Sequence, residues 1–304
     1  MIVYDSFNSL CMTNLANFPK LSLNSVTHYE NFPVASFLLP KRCIPAVQAL
    51  YHFARTSDDI ADEGTTSTSE RILLLNDLLK QLEYPSNAST PCIQNLTPFI
   101  ANKTLPVQYL RDLLTAFIQD VHQDDGYLKT PSLPRHLNMN SLLNYCTYSA
   151  NPVGRLMLHI VGAPCTPDSF TASDHICTGL QLINFWQDVA KDQNTNIPRT
   201  YIPQDIFLRY GSPSLSQHSA AYAAMMYELC EDARGRMQQG FALLPLLKGR
   251  FKAEIIATIV GGWLILDKLS ACNYDVIQHR PTLTKRDLPA GLKLMWQLYQ
   301  GSLK

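Results

Sequence analysis

The sequence predicts an all-α protein, a single bundle of helices around a central cavity. Apolar residues recur at helical spacing over most of the chain. No alternation of period two runs long enough to argue for a sheet. Two helical segments carry acids and amides among large apolar residues, the inverse of an ordinary surface helix. Polar strips of that kind need a cavity to face.

Taken in order, residues 1–27 are a polar lead with little periodicity, expected to be a loosely docked tail. Residues 28–304 are expected to form one helical domain. Helical patterns occupy about 43–63, 69–83, 105–121, 139–162, 171–192, 217–246 and 251–273. Proline and serine clusters, such as Pro85-Ser86-Asn87-Ala88-Ser89-Thr90-Pro91, mark loops between them. His122 to Leu137, with Asp124, Asp125, Pro131 and Pro134, reads as a long loop. The uncharged run from Ile255 to Leu266 is closed by Glu254 and Asp267. It is well short of the ~20 residues that cross a bilayer, so it reads as a core helix in which Gly261 and Gly262 permit close packing.

Composition narrows the function. With 304 residues, 46% of them hydrophobic, the chain can bury a sizeable core. A formal net charge of zero gives no reason to expect nucleic acid. The eight cysteines contain no CxxC and read as small core residues of a reduced protein, not as a disulfide set or zinc site. Asp5 and the lack of a cationic lead argue against a signal peptide, so the expected location is cytoplasmic, at most peripheral to the inner membrane.

The chemistry concentrates in two aspartate pairs, Asp58 with Asp62 and Asp188 with Asp192. A spacing of four stacks both carboxylates of a pair on one helix face, where they repel unless a cation lies between them. Tyr51, Arg55 and Asp59 share the first face, and Gln181 and Asn184 share the second. One such pair alone is most simply a solvated helix face. Two, each with Arg or amide side chains one turn away, point to hard divalent cations holding a diphosphate, with Mg²⁺ preferred over zinc by the all-oxygen donor set. Arg55 also has a plainer role open to it, an intrahelical pair with Asp59.

Four stretches carry a family resemblance: Tyr29-Glu30-Asn31-Phe32-Pro33-Val34-Ala35-Ser36, Phe53 to Asp62, Ser149-Ala150-Asn151-Pro152-Val153-Gly154-Arg155-Leu156, and Asn184 to Ala190. The chain resembles the squalene/phytoene synthases from about His28 to Arg286, and within them the bacterial hydroxysqualene synthases of hopanoid biosynthesis. The resemblance implies the helical isoprenoid-synthase fold. It implies that Asp58, Asp62, Asp188 and Asp192 ligate several Mg²⁺ ions and that Arg55 and Arg199 bind diphosphate oxygens. Tyr51, Gln181 and Asn184 would lie beside them, while Phe32 and Tyr145 would shape the chamber, although from the residues alone ordinary core packing is the better account of those two aromatics. Arg155 is assigned to substrate, with pairing to an acid as the alternative. The Ile255–Leu266 run would then also line a hydrocarbon tunnel.

The implied reaction is ionisation of presqualene diphosphate, rearrangement, and capture by water to give hydroxysqualene. Water is preferred to hydride because no GxGxxG fingerprint is present. Head-to-head condensation to presqualene diphosphate or phytoene is the alternative, and a non-catalytic assembly factor is the alternative of another class. The partners expected are the prenyl diphosphate and transient contacts with a membrane surface or neighbouring pathway enzymes. One departure stands out: Gln187 occupies a position where the family commonly has Arg, which implies a pocket for a single diphosphate.

Overall fold

The computed structural model describes residues 38–62, 66–129, 134–195 and 197–301, so the expected 1–27 tail and Phe32 lie outside the described residues. Every regular element among them is helical: α1 (Ile44–Asp62), α2 (Thr68–Gln81), α3 (Pro91–Ala101), α4 (Val107–Lys129), α5 (Met139–Ser149), α6 (Asn151–Val161), α7 (Pro167–Gln187), α8 (Val189–Gln193), α9 (Gln204–Arg209), α10 (Ala220–Gly240), α11 (Gly249–Ala271) and α12 (Leu288–Tyr299). Helix starts follow local chemistry. Ser67, Asn138, Thr166 and Ser219 each accept a backbone N–H of the first turn. Pro91, Pro152 and Pro167 stand in first turns, where the missing N–H has no cost.

Helix α7 is the axis of the bundle and packs against α10, α6, α11 and α5. Its apolar side places Leu182, Ile183 and Trp186 wholly inside, and Tyr222, Met226 and Met237 of the adjoining α10 are wholly buried too. The polar strip between them is thereby held by a rigid core helix. The Ser149–Leu156 stretch acts as a clasp on that helix. Asn151 accepts a buried hydrogen bond from the Thr178 hydroxyl at 2.9 Å. Gly154 lets α6 approach so closely that an added Cβ would collide with Ser173 and Cys177 of α7.

The expected boundaries were corrected in several places. The 139–162 pattern is two helices, because Ala150 leaves the helical line at φ −115° ahead of Pro152. The 217–246 pattern ends its α-helix at Gly240 and finishes as a 3₁₀ turn containing Pro245. Helices α3, α9 and α12 were not expected, since α3 contains Pro98, α9 is short, and α12 follows a loop. The largest correction is the supposed 122–137 loop: α4 continues through His122 to Lys129. Its polar sequence stays helical because Val121 and Asp124 are buried and tertiary ion pairs hold the acids. No helix of the described residues is long and apolar enough to cross a membrane.

Candidate active site

The two aspartate pairs face a cavity of about 360 Å³, within the range of small-molecule sites. Helix α1 supplies Arg55, Asp58 and Asp62, and α7 supplies Gln181, Asn184 and Phe185. Asp188 sits at the junction of α7 and α8, with φ −103° and ψ 7°. The Asp192 N–H nevertheless donates to the Asp188 carbonyl at 2.8 Å, so the spacing-four relation survives the break. Arg199 and Tyr201 reach in from the segment after α8, and Tyr145 from α5. A wider groove of about 560 Å³, bordered by Arg42, Lys248 and Arg250, lies elsewhere and contains no acid.

Arginines clasp the acids. Arg199 donates to both oxygens of Asp62, at 3.0 and 2.6 Å, and to Asp124 at 2.7 Å. Arg280 donates to the buried Asp188 at 2.5 Å. Arg55 donates to Asp58 at 3.1 Å and lies 2.6 Å from Asp59, so its intrahelical pairing is present inside the site. Burial and then the Asp62 charge push the Asp58 carboxyl up to about 6. Burial and then Asp188 push Asp192 up to about 6 as well. Burial alone would lower the Arg199 guanidinium, but Asp62 holds it protonated well above its ordinary range.

Several of these groups had no signal in the two motifs. Asp120 and Asp124 form a third pair at spacing four, on the stretch of α4 that begins before the supposed loop and runs into it. Asp120 accepts the Tyr145 hydroxyl at 2.8 Å, and Arg135 pairs with Asp124. Burial pushes Asp120 up to about 6 despite the Tyr145 hydrogen bond. Tyr201 stacks on Phe185 with centroids 3.8 Å apart, Tyr145 lies 6.4 Å from Phe185, and His136 stacks on Tyr201 at 6.0 Å. Burial and then Arg135 lower His136 to about 4, which keeps the ring neutral. The result is an aromatic wall beside the acids. Spacing four was a usable signal for Asp120 and Asp124; Arg280 offered none, being 92 positions from its partner.

Three expectations are placed elsewhere. Tyr51 is half-buried on α1 and does not line the cavity. Arg155 forks onto Asp174 at 2.9 and 2.5 Å and lies over Tyr109 and Phe170, so it fastens α6 to α7 away from the cavity. Gln187 is buried and donates to the Pro281 carbonyl at 2.5 Å instead of facing the cavity. The cation missing from position 187 is supplied to Asp188 by Arg280, and Gln187 therefore carries no argument about the number of diphosphates. Gln187→Arg is expected to cost about 2–3 kcal/mol of stability through overpacking and a buried charge. Its Mg²⁺ requirement should stay at the wild-type value, as thermal melts and a metal titration would show.

The donor set fits divalent metal ions. Among the described residues no three acids or other ligating side chains converge on one point, so any ion here needs oxygens from a ligand as well as from the protein. Asn184 is 2% exposed, and neither its amide oxygen nor its nitrogen has a partner, an arrangement that costs free energy until something fills the cavity. Asp58 and Asp192, held above their ordinary range by burial and then by a neighbouring acid, are likewise groups that a cation would relieve.

Known proteins agree with the geometry. The squalene/phytoene synthase family model matches residues 26–287. A hydroxysqualene synthase of Sinorhizobium fredii is 32% identical over 235 residues, 75% of either chain. One of Rhodopseudomonas palustris is 34% identical over 216 residues, 67% of this chain and 69% of that one. The crystal structure of squalene synthase HpnC from Alicyclobacillus acidocaldarius superposes with a TM-score of 0.70 at 27% identity, covering 81% of this chain and 90% of that one. A family match over residues 26–287, most of the length, means that this chain belongs to the squalene/phytoene synthase family.

Proposed function

We propose that the chain is a hydroxysqualene synthase, acting on presqualene diphosphate. The observation that carries the proposal is a cavity with an acid-and-amide end and an aromatic wall, beside a second, mostly apolar cavity of about 90 Å³. The second is lined by Val153, Met157, Leu180, Phe251, Ile255 and the buried Glu254, and Val153 is a wall of both. A long hydrocarbon fits such an arrangement with its diphosphate among the acids. The relatives named hydroxysqualene synthase support the choice of substrate within the family.

Asp58, Asp62, Asp188 and Asp192 would hold Mg²⁺ ions. When bound, the ions neutralise the charge of the departing diphosphate. Arg55, Arg199 and Lys191 line the same end and would donate to diphosphate oxygens. The unpartnered Asn184 amide would orient there. As the carbon–oxygen bond breaks, the cyclopropylcarbinyl cation would lie beside the aromatic wall of Phe185, Tyr145 and Tyr201, whose electron-rich rings favour positive charge. The same packed wall keeps bulk water away until rearrangement is complete. One water then adds and loses a proton, giving the alcohol.

The purified chain with Mg²⁺ is expected to convert presqualene diphosphate to an alcohol that carries ¹⁸O from labelled water. Efficient consumption of farnesyl diphosphate to presqualene diphosphate would replace this reading with the condensation reaction.

A further inference from the structure

We propose that α12 docks the protein on an anionic membrane surface. Leu292, Trp296 and Tyr299 recur at spacings of four and three, so they share one face of the helix. They are 61%, 61% and 66% exposed, a stripe and not scattered residues. Gly291 and Leu298 are buried on the other side, where α12 packs on α11. The stripe is an orphaned apolar face of a helix that is otherwise well seated.

The charges around it are basic. Helix α12 contains no acid, and Lys293 is exposed at the edge of the stripe. The turn before the helix exposes Lys285 and Arg286, while Asp287 is taken by Lys268 at 2.9 Å. The Lys252 ammonium lies 5.0 Å from the centroid of the Tyr299 ring, and Lys248 and Arg250 are exposed nearby in sequence. An apolar stripe with aromatic members and a basic margin is the pattern of a helix lying in the headgroup layer of an anionic bilayer. Trp and Tyr favour that boundary because each has an apolar body and a polar atom. A second copy is a poorer occupant. A two-fold contact would bring the same lysines of both copies together.

The position of the stripe suits an enzyme with a water-insoluble product, although docking does not depend on that reading. Helix α11 lends Phe251, Ile255 and Thr258 to the apolar cavity and carries α12 on another side. The docking face is therefore one helix away from the space that holds hydrocarbon.

Vesicle flotation with the full chain tests the proposal, using phosphatidylcholine vesicles with and without phosphatidylglycerol. Wild-type protein is expected to float with the anionic vesicles only. Lys285→Gln, Arg286→Gln and Lys293→Gln should each weaken partitioning about fivefold. Trp296→Glu combined with Leu292→Glu should abolish it, and Trp296→Ser should weaken it without placing an acid on the face. Circular dichroism and turnover of detergent-dispersed substrate should match wild type, since no site residue is touched. Wild-type protein that stays with the soluble fraction, or stripe variants that float as well as wild type, would overturn the proposal. A wild-type dimer that Trp296→Glu converts to monomer, with no flotation, would assign the face to a second copy instead.

Discussion

Asp58→Asn is expected to lower turnover on the order of 10³-fold while leaving the metal-free protein as stable as wild type or slightly more so. Without metal the carboxylate is a source of repulsion: burial, Asp62 and Asp59 all disfavour its charge, and among the described residues Arg55 offsets them. An amide removes that penalty and with it the ability to hold a cation. The rise in melting temperature that Mg²⁺ and inorganic diphosphate should give wild-type protein will be largely absent in the variant. Asp188→Asn provides the contrast. It should lose activity to a similar degree but also cost about 1–3 kcal/mol, because Asp188 is buried and its loss leaves Arg280 without a counter-charge. Equal melting temperatures for the two variants would show that the Arg280 pairing contributes nothing to the fold.

Arg199→Gln is expected to have the largest combined effect. One guanidinium holds Asp62 from α1 and Asp124 from α4, with Asp120 close by. Removing it deprives Asp62 of its arginine and leaves Asp124 and Asp120 to Arg135 alone, a loss of about 1–3 kcal/mol for a clasp that is buried at Asp124 but exposed at Asp62. Activity should fall with stability, but Mg²⁺ alone should recover more melting temperature in the variant than in wild type, because the cation then replaces the missing charge. Arg199→Lys should recover little, since one ammonium cannot satisfy both oxygens of Asp62 and a second carboxylate in that geometry. A variant that melts with wild type would mean that the three-way clasp is cosmetic.

The features that could be read in the sequence were those encoded within a single helix. Asp58, Asp62, Asp188 and Asp192 announce themselves because acids at spacing four contradict the apolar surroundings of Leu182, Ile183 and Trp186. Helical periodicity located α1, α2, α7, α10 and α11 for the same reason. The misreadings are tertiary. Asp120 and Asp124 sit in a polar run followed by Gly126, which has poor intrinsic helicity, and distant partners such as Arg135 and Arg199, together with burial of Val121, favour helix there. Arg280 comes from a loop with no periodic pattern. Arg155 had two roles open in the sequence, substrate contact or pairing with an acid, and only the structure brings it to Asp174, 19 positions away. Pro98 concealed α3, a helix that tolerates the lost hydrogen bond because Cys92, Ile93 and Leu96 bury its inner face.

The guanidiniums that occupy the acids also govern how the cavity is loaded. Asp62 and Asp188 are already countered from within the chain, so an arriving cation enters by exchange and not by simple addition. Each exchange frees an arginine that has nowhere favourable to go unless an anion accompanies the metal. Cation and diphosphate would thereby be thermodynamically linked, each raising the affinity for the other by the same factor. Calorimetry should find weak binding of Mg²⁺ alone, weak binding of diphosphate alone, and strong binding of either in the presence of the other. The resting protein is in effect locked in an internal salt, and only the complete metal–diphosphate ensemble matches what it must give up.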